Sequence, residues 1–178
     1  APTLAPACTS AMKSSIARCP NTGCGRRVDA LLNRMKNRVA LVSSPQRITL
    51  EQIRNLEEPE TFQDGAPRTD FAAKEARGVV TTGFLLFAKR QKGESVNCGI
   101  TGPTNTDIHL VLVDRLPEDL DDQRQIDEAE ENSVTAEITP RVRRAGHPTW
   151  VVANINDFED KFVRITGWLM LDTEHISR

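Results

Sequence analysis

The spacing of apolar side chains changes period once along the chain, near Gly78. Before that point the rhythm is helical. In RRVDALLNRMKNRVALV, the residues Val28, Leu31, Leu32, Met35 and Val39 recur at the spacing of one helix face, with Arg34, Lys36 and Arg38 opposite, which predicts an amphipathic helix. In SSPQRITLEQIRNLEEP, Thr49 and Gln52 stand three apart as a capping box, ahead of a short helix that Pro59 ends. ETFQDGAPRTD reads as a loop, and residues 1–25, containing Pro, Ser, Thr and Cys, as an extended arm.

From Gly78 onward the period is two. GVVTTGFLLFAKR is rich in β-branched and aromatic residues. DIHLVLVD alternates Ile108, Leu110 and Leu112 against Asp107, His109 and Val111, and SVTAEITP alternates Val134, Ala136 and Ile138 against Thr135, Glu137 and Thr139. TWVVANINDFEDK predicts a short helix through Val151, Ile155 and Phe158. FVRITGWLML predicts a last strand with Val163, Ile165, Leu169 and Leu171 inward and Arg164, Thr166, Trp168 and Met170 on its second face. Three strands, a helix and a strand make most of an OB-fold, a five-stranded Greek-key barrel, with Gly83 and Gly167 suited to its bends. The expected class is therefore α+β: a small OB-like β-barrel at 78–178, missing or lending its closing strand, behind a helical, disulfide-tied region at 1–77. An open α+β sheet is the structural rival.

Composition narrows the class further. The 178 residues are 38% hydrophobic and 27% charged, a globular balance, and no run approaches the roughly 20 apolar residues that cross a bilayer. The chain begins Ala-Pro-Thr rather than Met, as a processed exported protein would. Four cysteines, Cys8, Cys19, Cys24 and Cys98, fit two disulfides in an oxidising compartment, with three connectivities open. A zinc site at CPNTGC lacks a second close pair or a nearby His. Charge is uneven: the first 56 residues carry nine Lys or Arg against two acids, whereas PEDLDDQRQIDEAEEN carries eight acids against one Arg. A basic segment can meet nucleic acid, but aromatic stacking platforms are scarce in the first half of the chain.

The candidate chemistry sits on the strands. If the second and third strands pair, Asp107, His109 and Glu137 share a face, and with the acidic tip Asp172, Glu174 and His175 they form a His and carboxylate set. Such a set suits a divalent metal or acid-base work on a phosphodiester or glycan. The plainer reading is a cross-strand pairing of Glu137 with His109 or Arg141. Arg141, Arg143 and Arg144 read as a solvated basic turn, with phosphate contact as the alternative. His147 reads as a surface histidine, and Trp150 and Trp168 as packing or stacking residues. No phosphate loop, nucleophile elbow or paired-His zinc motif is present.

ARCPNTGCGRRVDALLNRMKNR, DIHLVLVD, VTAEITPR and VRITGWLMLDTEH together resemble an uncharacterised family of bacterial proteins, often exported, with motifs CPxxG, LNx[LM]KNR, D[IT]H, VxxE[IV]TPR and VRxTGWLxxDxEH. The resemblance spans Cys19 to His175. It implies an OB-like domain behind a helical region, recurrent polar positions at Asp107, His109, Glu137, Arg141, Asp172, Glu174 and His175, and no established activity. It also implies a Cys19–Cys98 bridge, leaving Cys8–Cys24 as the second, and a further strand after the DTEH segment.

The leading expectation is an exported ligand-binding or assembly module without catalysis of its own. Its ligand face would comprise Asp107, His109, Glu137, Arg141 and Trp168. Its partners would be a second copy or another protein at an exposed sheet edge, or a nucleic acid or glycan. The alternative is a metal-dependent hydrolase using His109, Glu137, Asp172, Glu174 and His175 around a divalent cation.

Overall fold

The computed structural model describes residues 8–25, 29–57, 68 and 71–172. Its elements in chain order are α1 (Asp29–Lys36), β1 (Gln46–Arg47), α2 (Leu50–Arg54), α3 (Ala72–Glu75), β2 (Gly78–Arg90), β3 (Ile108–Val113), α4 (Gln123–Glu131), β4 (Val134–Ile138), α5 (Pro140–Gly146), α6 (Val152–Ile155) and β5 (Phe162–Trp168). Short 3-10 turns lie at Met12–Ser14, Ser95–Asn97 and Asn156–Phe158.

The long strand β2 organises a five-stranded mixed sheet. Its first half pairs with β5 antiparallel and with β1 in parallel, and its second half pairs antiparallel with β3, which in turn pairs with β4. The sheet is not closed: among the described residues, β4 and β5 bond only inward, to β3 and β2. The class is thus α+β as expected. The irregularity that redirects β2 falls between Leu85 and Phe87, not at Gly83 or Gly167. A Cβ on Gly83 would come within 2.6 Å of Leu50 Cδ1 and 3.0 Å of Val113 O, so that glycine permits the close seating of α2 on β2. A Cβ on Gly167 would meet nothing within 4 Å.

β3 is buried along its whole length because both of its faces are covered. Ile108, Leu110 and Leu112 join Leu50, Leu85, Ile138 and Ile155 in the main core. Val111 and Val113 face the other way, into a second cluster that Ile126 and Ala129 of α4 cover. The acid-rich segment forms that helix, apolar on the side that meets the sheet and carboxylated elsewhere.

Two cysteine pairs lie at disulfide distance: Cys8 with Cys24, Cα atoms 5.5 Å apart, and Cys19 with Cys98, 5.9 Å apart. This is the pairing the resemblance implied. The second bridge ties the arm to the loop that leads into β3. The capping box also forms, with the Thr49 hydroxyl accepting from Gln52 N–H and the Gln52 side chain accepting from Thr49 N–H, both at 3.0 Å. The helix ends at Arg54, capped by Asn55 and short of Pro59, which lies outside the described residues. Thr49→Ala should lower stability by about 1 kcal/mol in urea titration. An unchanged midpoint would mean that packing of Leu50 alone holds α2.

Three expectations need correction. In the predicted first helix the buried side is only partly the apolar stripe: Leu32 is buried, but Leu31 is about half exposed and Val39, beyond the end of α1, is too, while Asn33, Lys36 and, just past the helix, Asn37 are buried. Polar bonds decide this rotation, since Asn33 donates to Thr22 O and Asn37 donates to Asn21 O and Val96 O. Second, Arg141, Arg143 and Arg144 form no solvated turn but sit on α5, capped by Thr139 with Pro140 in its first turn. Arg143 is buried there and donates to Thr106 O at 2.5 Å. Third, the last strand stops at Trp168, before Leu169 and Leu171.

Candidate functional site

β3 and β4 pair in the register that sets His109 directly opposite Glu137. His109 Nε2 lies 3.0 Å from Glu137 Oε1. Between Glu137 and Asp172 stands Lys36, delivered from the end of α1: its Nζ is 3.2 Å from Glu137 and 3.0 Å from Asp172. The lysine side chain is fully buried, at 0% exposure, while the two carboxylates keep 12% and 25%. Burial is the largest single influence on Lys36 and opposes its charge, yet Glu137, Asp172 and Glu94 outweigh it and hold its pKa above the ordinary lysine value. Burial would likewise raise Glu137. The contact with His109 and the charge of Lys36 win, and hold that carboxyl below the usual range.

Asp107, one residue before β3, is the opposite case. It is fully buried, its Oδ1 accepts a long 3.5 Å bond from Asn97, and its Oδ2 has no hydrogen-bond partner among the described residues. Burial first, then the neighbouring Glu94 and Glu137 carboxylates, push its pKa up to about 8 against the pull of Lys36 and Asn97. Asp107 is therefore largely protonated near neutral pH, a neutral polar group inside the fold rather than an anion offered to a ligand.

The remaining sequence candidates separate from this cluster. Arg141 turns to the disulfide arm and donates to Cys19 O at 2.6 Å. Trp168 donates its indole N–H to Ala40 O at 2.9 Å, with the Arg38 guanidinium 4.8 Å above its ring. Glu174 and His175 lie outside the described residues. Among the described residues, the ligand atoms of Cys8, Cys24 and Cys98 form the three-residue His, Cys, Asp or Glu set within 4.8 Å, and those sulfurs are spent in disulfides. Sequence reasoning missed Lys36, placed on the solvent face, and the buried pair Arg68 and Glu75. That pair pins the chain after β5, since Arg68 donates to Leu171 O at 2.5 Å and Glu75 accepts from Leu171 N–H at 3.0 Å. A signal for Lys36 existed: Asn33, Lys36 and Asn37 repeat at helical spacing, as a buried polar stripe would.

Beside the cluster the open sheet leaves a groove of ≈ 2390 Å³ between β4 and β5. Its floor is the flank of the main core, where Val134, Ala136, Val163 and Ile165 are only partly buried. One end is crossed by residues 35–42, including Lys36. The other carries Trp150, stacked on His147 with ring centroids 3.7 Å apart. Five of the seven large hydrophobic residues exposed among those described, Val39, Leu41, Trp150, Phe158 and Phe162, line this groove. Apolar exposure concentrated in this way marks an interaction surface. No helix among the described residues is long and apolar enough to cross a membrane. No family model matches the chain, and comparison with curated proteins and with solved structures gives no match either.

Proposed function

We propose that this chain is an exported, OB-like module without catalysis of its own, which binds or assembles with another polypeptide by taking an extended segment between β4 and β5. The observation that carries the reading is the pair of strand edges, β4 and β5, each bonded to a neighbouring strand on one side only among the described residues, flanking an apolar floor. An inserted strand could pair with the backbone of either edge and cover Val134, Ala136, Val163 and Ile165 with its apolar face. Strand, strand, strand, helix, strand is also the order in which an OB-fold would present this gap to its closing strand. Two disulfide pairs fit folding in an oxidising compartment.

The alternative, a hydrolase working through a divalent cation at His109, Glu137, Asp172, Glu174 and His175, has less behind it. Lys36 already supplies a positive charge between Glu137 and Asp172, where a metal ion would have to displace it.

Amide hydrogen exchange tests the proposal. In the chain alone, the outward amides of 134–138 and 162–168 should exchange fast. Strand-length peptides alternating apolar and polar residues should slow them. Edges already protected in the monomer, or unaffected by every peptide, would refute it.

A further inference from the structure

The walls of the groove also indicate what kind of segment fits, an inference that rests on the strand-accepting reading above. Beside the start of β4, α4 brings Asp127 from its middle and Glu131 from its end to the groove, both exposed; Asp127 accepts from Gln123 at 2.7 Å, and neither is in an ion pair among the described residues. Beside β5 the exposed rim is aromatic, with Trp150 40%, Phe158 55% and Phe162 63% exposed. The cations near the groove are differently committed. Lys36 is held by Glu137 and Asp172, and Arg38 donates to Glu75 O while covering Trp168. Arg164 lines the groove on the exposed face of β5 that also carries Phe162, and Lys161 lies 5.9 Å over the Phe158 ring; against these cations stand five groove-lining carboxylates, Asp127, Glu130, Glu131, Glu137 and Asp172.

Carboxylates on one wall and aromatic faces on the other share a preference. Both attract cations, the first by charge and the second through the ring quadrupole. The floor, by contrast, asks for apolar side chains at every second position. We infer that the groove selects an extended polypeptide segment alternating apolar with basic residues, its Lys or Arg side chains directed to Asp127, Glu131 and the aromatic rim. A polyanion such as nucleic acid is disfavoured by the same acidic wall. A glycan could stack on the aromatic rim, but a sugar chain cannot continue the backbone ladder of two strand edges.

Calorimetric titration of the full chain tests this with three peptides that share one apolar face and carry Lys, Ser or Glu at the alternate positions. The Lys peptide should bind about tenfold more tightly than the Glu peptide, with the gap narrowing as salt rises. The double variant Asp127→Asn with Glu131→Gln should bind all three about equally while keeping its affinity for the Ser peptide. These positions are exposed, so the variant should fold as the parent does. Equal or tighter binding of the Glu peptide, or a preference for Lys that survives in the double variant, overturns the inference and leaves strand addition standing. If no peptide binds, or if a neutral oligosaccharide binds where peptides do not, both readings fall.

Discussion

Lys36→Met should destabilise the fold by about 3–5 kcal/mol, because it removes one partner of a buried charge cluster. Methionine keeps much of the volume of lysine but withdraws the charge that Glu137 and Asp172 share. Those carboxylates, mostly removed from water, would then face one another without the ammonium between them, with Glu94 nearby. The Coulomb attraction of a buried pair roughly repays its desolvation, so removing one partner exposes the unpaid penalty of the others. Urea denaturation of the parent, of Lys36→Met and of Lys36→Met with Glu137→Gln would measure it, and the double variant should recover part of the loss. A single-variant loss below about 1 kcal/mol would show that water reaches the carboxylates freely. The pH signs follow from the shifts. The raised Lys36 contributes fully below the unfolded lysine value of about 10.4 and is lost as pH climbs through its folded value. The depressed Glu137 contributes fully above about 4.3 and is lost as pH falls through its folded value.

Asp107→Asn should remove a pH dependence that the parent protein shows between acid and mild alkali. Unfolded, this carboxyl titrates near about 3.9; folded, it titrates at about 8. Between those values the native state binds the proton that the unfolded chain has released, so stability falls as pH rises through the window and levels off above it. The total is on the order of a few kcal/mol, since each unit of difference corresponds to about 1.36 kcal/mol. Asparagine copies the shape of the protonated acid and does not titrate. Urea midpoints from about pH 5 to about pH 9 should therefore decline for the parent and decline much less for the variant. Glu137 acts at the acid end, below this range, so it does not mask the comparison. Identical slopes in the two proteins would mean that the parent ionises Asp107 at little cost, for example beside a buried water on its unpartnered Oδ2.

Local signals in the chain were legible where one physical cause dominated. The β-branched and aromatic run from Gly78 to Arg90 is a strand over that whole span, because nothing in it competes with extended backbone. The Thr49 and Gln52 box was readable because it is closed by neighbours in sequence. The facing of His109 and Glu137 was conditional on β3 and β4 pairing, and their register supplies it. What the pattern concealed is burial driven by bonding rather than by partition into an apolar core. Asn33, Lys36 and Asn37 carry polar labels and are nevertheless inside, at the expense of Leu31 and Val39. Arg143 is the same case on α5, where Thr139 and Pro140 were a helix start overlooked among arginines. The groove was less legible still. Its existence depends on which strand edges stay unpaired, a property of the whole sheet that no short window encodes.

The two carboxylates on Lys36 come from 101 and 136 residues further along the chain. Contacts of such sequence separation form late, after most of the loop entropy between them has been lost. During synthesis or refolding, therefore, the lysine at the end of α1 lacks both of its ion-pair partners until β4 is laid down, and has only one of them until residue 172 arrives. Asn33 and Asn37 can set the rotation of α1 earlier, through Thr22, Asn21 and Val96, so what waits is the pairing of the ammonium itself. The ion pairs of that lysine are thus among the last contacts expected to form, and their formation reports that the far end of the sheet is complete.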